Sequence, residues 1–205
     1  MTRLTQLDIS NNSLQQLPLG LFTDDDYPNS MIHMEGLNLK FNSIKTLGDE
    51  DFFKYAINLE ELNLEGNRLQ DLSPFLHEYD GIKINIEGEN EPLEGRPLSK
   101  LKRLYLDFVE ADGINDSLFN DTQLTNLTIR VNTQIASQLT FKLFEPIGET
   151  LQELILWTED AFRIPNNFLH PCQIIEKIVW KDSGLLSLGD RFNNLGNLRI
   201  LDLSN

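Results

Sequence analysis

The chain has 205 residues, a hydrophobic fraction of 40%, and a formal net charge of -15 from 17 basic and 32 acidic side chains. That charge repels nucleic acid and anionic membrane surfaces, so neither is expected as a partner, while a basic protein is left open. A single cysteine, Cys172, excludes an internal disulfide framework, and no apolar run is long enough to span a bilayer.

The 36 leucines and 20 asparagines form a biased mixture that calls for a search for repeats. The opening residues Met1-Thr2-Arg3 carry no secretory leader pattern. From there the pattern L-x-x-L-x-L-x-x-N recurs. Leu4, Leu7, Ile9, Asn12 form the first copy, Met34, Leu37, Leu39, Asn42 the second, and Leu59, Leu62, Leu64, Asn67 the third. Gly81, Ile84, Ile86, Glu89 make a weaker fourth, and Leu101, Leu104, Leu106 a fifth with Val109 at the Asn position. Leu124, Leu127, Ile129, Asn132 fit fully. Leu151, Leu154, Leu156 end on Glu159, and Ile175, Ile178, Trp180 on Ser183. A last copy starts at Leu198, Leu201, Leu203. The second anchors are spaced 30, 25, 22, 20, 23, 27, 24 and 23 residues apart, about 24 on average. Phe22, Phe52, Phe119, Phe168 and Phe192 follow their second anchors by 14 or 15 residues, with Phe75 and Phe144 within two residues of that offset.

Each copy supplies a short strand whose anchors point inward and whose intervening residues point out. Strands paired in parallel stack the anchors into one core. An Asn at the turn satisfies backbone groups that the turn leaves unpaired, and stacked copies form a ladder. Only four of eight complete copies carry it, so the ladder is expected to break mid-chain, with irregular loops around the fourth and fifth copies. The phenylalanines are expected to fill the convex side.

These motifs resemble leucine-rich repeat proteins over essentially the whole chain. The spacing, the Leu17-Pro18 step and the trailing Phe22 resemble the extracellular "typical" subclass, which includes Toll-like receptor ectodomains, adhesion repeats and matrix proteoglycans. The resemblance implies an α/β solenoid, a horseshoe with a parallel concave sheet and an irregular or short-helical convex side. It also implies lateral pairing of two copies. The cysteine-rich caps of such arrays are missing, so residues 1–205 are expected to be one array of about eight and a half units cut from a longer one.

No catalytic or cofactor motif emerges. His33, His77, His170 and Cys172 lack zinc spacing, and no phosphate loop or nucleophile elbow occurs. The Asp24-Asp25-Asp26 and Asp49-Glu50-Asp51 runs lack calcium-loop spacing. The expectation is therefore no enzyme, no metal and no cofactor. Sequons at Asn11, Asn115, Asn120 and Asn126 are glycosylation candidates. Asn126 falls on the concave face, where a glycan obstructs binding.

The outward strand residues define the expected binding surface. It is polar and acidic through Asp8, Asn38, Asn63 and Asn85, with Glu60, Glu61, Glu65 and Glu87 nearby. It then turns aromatic and apolar, bordered by Lys102, Arg103, Arg130, Lys177 and Lys181. Tyr105, Phe108, Arg130, Ile155, Trp157 and Lys181 form the expected partner-binding patch, since exposed aromatics flanked by cations are typical of hot spots. The resemblance implies an extracellular or cell-surface recognition module for a protein or microbial ligand. The alternative is an intracellular acidic repeat protein that sequesters a basic partner.

Overall fold

The computed structural model describes residues 4–17, 32–48, 51–76, 82–84, 93–158 and 161–204. Eight short strands follow the chain across one parallel sheet: β1 (Gln6–Asp8), β2 (Gly36–Asn38), β3 (Glu61–Asn63), β6 (Arg103–Phe108), β7 (Asn126–Val131), β8 (Glu153–Trp157), β9 (Lys177–Lys181) and β10 (Ile200–Asp202). The second anchors fall in one row, each paired with the next: Leu7, Leu37, Leu62, Leu104, Leu127, Leu154, Ile178 and Leu201. From Leu7 to Ile178 their side chains, with the anchors on either side, make a continuous core, whereas Leu201 is exposed. From Met34 through Trp180 the described anchors are almost wholly buried. Each such leucine contributes about 1.5–3 kcal/mol of transfer free energy. This is the open stacked coil that the repeats imply, a leucine-rich repeat solenoid.

The register is locked at the start of every strand. The carbonyl two residues before each anchor accepts from two consecutive amides of the next unit. Thr5 O takes Glu35 N and Gly36 N, and Glu60 O takes Lys102 N and Arg103 N; the same pairing recurs at Glu35, Lys102, Thr125, Gln152 and Glu176. A slip of one residue would turn every anchor to solvent, so burial enforces the same register.

The strand ends are fixed by the asparagine ladder. Asn67 donates to Leu64 O (3.0 Å) and Leu39 O (2.9 Å) and accepts from Ile44 N (3.1 Å). Asn42 repeats this with Leu39 O, Ile9 O and Leu14 N. The residue before each ladder Asn has a positive φ: Asn11 (55°), Phe41 (53°) and Gly66 (68°). At Gly66 a side chain would be strained at this φ and would displace the Phe41 ring, because a Cβ would lie 2.3 Å from it. Past Val109, which takes the Asn position of the fifth copy, the sixth copy departs from its expected full fit. Asn132 reaches back to Val109 O (3.0 Å), but its Oδ1 accepts from Ile135 N and caps a one-turn helix.

Among the described residues, the side opposite the sheet carries single turns: α1 (Ser73–Leu76), α2 (Thr133–Ala136), α3 (Phe141–Phe144) and two 3-10 turns, Glu145–Ile147 and Ala161–Arg163. Aromatic rings run through it. Phe119, Phe144, Phe168, Trp180 and Phe192 form a chain with centroids 5.6–6.4 Å apart, and Phe52, Phe53 and Phe75 form a second set at 4.9 Å.

The fourth copy is corrected. β4 (Ile82–Ile84) does not enter the sheet; it pairs antiparallel with β5 (Leu93–Gly95), and β3 pairs directly with β6. Isoleucines at alternate positions satisfy a hairpin strand as well as a repeat strand, and no ladder Asn fixed the choice. Phe22, His77, Asn85, Ile86, Glu87, Glu89, Glu159 and the Asp24-Asp25-Asp26 run lie outside the described residues. No described helix is long and apolar enough to cross a membrane.

Candidate partner-binding site

The outward residues of the sheet form rows across the strands. One row runs Asp8, Asn38, Asn63, Tyr105, Thr128, Ile155, Val179 and Asp202, each beside the next. A second runs Asp107, Arg130, Trp157 and Lys181. Five of the six expected patch residues therefore share one face. Tyr105 and Ile155 lie in the first row; Arg130, Trp157 and Lys181 lie in the second. All are half-buried except Arg130, which is exposed.

Phe108 is the exception and a correction. It is 0% exposed and packs in the core. Leu104, Leu106 and Phe108 alternate on the inward side of β6, so strand parity alone already assigned it to the interior.

The guanidinium of Arg130 lies over the Trp157 ring, 5.1 Å from its centroid. Burial, followed by the nearby Glu61 carboxylate, raises the Tyr105 phenol above its ordinary range, so it stays a neutral donor and acceptor. Beside Arg130, the Asp107 carboxylate is only 5% exposed and accepts from Val109 N at 3.1 Å. Burial pushes it above the usual carboxylate range, against the pull of its backbone bonds and Arg130. Asp107 is not among the residues expected from the sequence; its outward parity in β6, between Tyr105 and Val109, is the available signal.

Acidic and basic residues are not segregated by half as expected. They interleave as cross-strand pairs: Lys40–Glu65 (2.7 Å), Lys102–Glu60 (3.2 Å), Arg103–Glu61 (2.9 Å), Lys177–Glu153 (2.6 Å) and Lys181–Asp202 (2.8 Å). Exposed pairs of this kind contribute about 0–1 kcal/mol each, so their main effect here is to neutralise cations that the sequence offered as free.

At the far ends of β7 and β8 the broken ladder leaves an open pocket of about 360 Å³. Arg130 and Trp157 line it together with Val109, Thr133 and Asp182.

The Cys172 thiol is fully buried, and burial pushes it up to about 12, so it is protonated at neutral pH. Of the sequons, Asn11, Asn115 and Asn120 are exposed. Asn126 sits in β7, with its amide donated to Glu153 (3.0 Å) and its carbonyl oxygen accepting from Thr125 (2.9 Å).

Comparison with known proteins finds the repeat in part of the chain. The family model for the Leucine Rich Repeat matches residues 3–24 and 58–78. Among curated proteins no significant match was found. A solved structure of internalin C2 from Listeria monocytogenes is 19% identical with a TM-score of 0.47, covering 98% of this chain and 80% of that one. Two of the first three units, the copies anchored at Leu7 and Leu62, thus carry the leucine-rich repeat pattern in the form that the family model recognises.

Proposed function

We propose that the chain is a protein-recognition module that binds a protein or microbial ligand through its sheet face, centred on Tyr105, Arg130, Ile155, Trp157 and Lys181. The observation that carries this reading is the half-exposed Trp157 capped by Arg130, with Ile155 and Tyr105 on neighbouring strands of the same face. Aromatic and arginine side chains held rigidly at the centre of a surface are typical binding anchors. In keeping with the "typical" subclass resemblance, the module belongs to an extracellular or cell-surface receptor or adhesion ectodomain. The competing reading, sequestration of a basic partner by acidic strands, draws on the net charge of -15. It is weakened because Glu60, Glu61 and Glu65 are already engaged by lysine and arginine.

The test is selection of binders from a displayed random-peptide library on the wild-type chain. Tyr105→Ala and Trp157→Ala are expected to weaken the selected binders about ten-fold or more, the loss typical of an anchor truncation. Binders that hold both variants as tightly as the wild type refute the patch.

A further inference from the structure

Four cations stand in the strands of the large sheet among the described residues: Arg103, Arg130, Lys177 and Lys181. Three are held by carboxylates of neighbouring strands, Arg103 by Glu61, Lys177 by Glu153 and Lys181 by Asp202. Arg130 differs. Its guanidinium lies over the Trp157 ring and makes no hydrogen bond or ion pair among the described residues. The carboxylate beside it in the row, Asp107, is buried and turned to the Val109 amide. A guanidinium held over a ring keeps its in-plane N–H donors, whose fork matches a carboxylate bidentately. Arg130 lines the open pocket.

The rest of the pocket narrows the ligand. Val109 is 48% exposed and sits where the ladder asparagine is missing. Val109 and the edge of Trp157 give an apolar wall for a methylene stem. Asp182 stands at the opposite end, two strands away, at roughly 10 Å from the Arg130 backbone by strand spacing. It repels a second carboxylate there. The pocket opens to solvent, so a chain that bears the acid can continue past it.

We propose that this pocket is the specificity element of the sheet face, and that it takes a single acidic side chain, aspartate or glutamate, from an extended partner segment. The carboxylate forks onto Arg130 and its stem packs on Trp157 and Val109. The inference rests on the binding reading above and adds ligand chemistry to it.

The experiment is a titration of the isotope-labelled chain with three pentapeptides, followed through the Trp157 indole resonance. The second tryptophan, Trp180, is 0% exposed and serves as the internal control. The first peptide is Gly-Val-Glu-Val-Gly with both ends blocked, the second carries Gln in place of Glu, and the third is the Gln peptide with a free C-terminal carboxylate. The blocked Glu peptide is expected to shift Trp157 saturably and to bind about ten-fold more tightly than either Gln peptide, the preference expected of a charge-assisted fork. Arg130→Gln abolishes that preference, and Arg130→Lys, which keeps the charge and loses the fork, restores part of it. Equal binding of Glu and Gln peptides, no saturable shift with any peptide, or an unchanged preference in Arg130→Gln overturns the proposal. Equal binding of the free-carboxylate peptide overturns the assignment to an internal side chain. A library selection that depends on Tyr105 and Trp157 but not on Arg130 sinks this inference alone, whereas independence of all three sinks the binding reading as well.

Discussion

At the residue scale, the ladder asparagines differ in what their loss costs. Asn67 is 6% exposed and satisfies two carbonyls and an amide in two adjacent units. Asn12 makes only local bonds to Ile9 O and Ser10 O and is exposed to water. Unmet buried groups cost about 1–3 kcal/mol each, so Asn67→Ala is expected to lose about 2–3 kcal/mol or more in urea denaturation, and Asn12→Ala under about 1 kcal/mol. Equal losses would mean that the ladder is not the source of stability at these turns. Asp107 carries a pH signature. Its folded pKa lies above the unfolded value of 3.8, so between the two the native state holds the extra proton and stability falls as pH rises. Asp202 acts in the opposite sense. Lys181 and Ser204 hold it well below the usual range, so its contribution is present above 3.8 and is lost on acidification through the folded value. Asp107→Asn keeps the acceptor for Val109 N and is therefore expected to gain on the wild type as the pH is raised above the unfolded value. Parallel denaturation curves at about pH 4 and pH 7 measure this, and a difference that is flat or reversed with pH removes the burial argument.

At the scale of elements, the one-turn helices are too short to be stable alone, so the aromatic chain beneath them holds the units together. Phe144 is 0% exposed and contacts both Phe119 and Phe168. Phe144→Ala is expected to cost about 3–5 kcal/mol. In a stack where each unit touches only its neighbours, it is also expected to uncouple the two flanks, so the melt broadens or splits. Calorimetry distinguishes this from a uniform shift. Trp157→Ala removes a half-exposed ring on the opposite face and is expected to change stability by less than about 1 kcal/mol. A large loss there would make Trp157 a structural residue rather than a binding one.

At the scale of the whole molecule, 15 surplus negative charges oppose a set of exposed cross-strand pairs. Salt weakens both, but the pairs are individually worth little while the surplus acts over the entire surface. Added sodium chloride is therefore expected to raise the Tm, and a fall would show that the pairs matter more than the net charge. Secretory expression tests the compartment. Asn115 and Asn120 are exposed and off the sheet, whereas the Asn126 amide is committed to Glu153 within β7. A glycosidase-sensitive mass shift is expected to map to Asn115 and Asn120 and not to Asn126; modification at Asn126 would contradict a binding role for the sheet face.

The sequence by itself determined the anchors of every copy but the fourth, their common register, the described ring positions on the far side and the interruption of the ladder at Val109. These follow from one periodic rule, in which alternate residues point inward and identical units stack. Tyr105, Ile155, Trp157, Arg130 and Lys181 could be placed on one face by the same rule. Parity also excludes Phe108, although an aromatic residue flanked by cations has the composition of an anchor. Only the tertiary structure decided that residues 82–84 leave the sheet for a hairpin, since a short alternating apolar run fits either pairing. Only the structure showed which cations are free. Glu153 and Lys177 are far apart in sequence and 2.6 Å apart across β8 and β9, and pairing of this kind is set by which strands become neighbours. The pocket beside Arg130 has the same origin: Val109, Arg130, Trp157 and Asp182 belong to four successive units, and only stacking brings them to one rim.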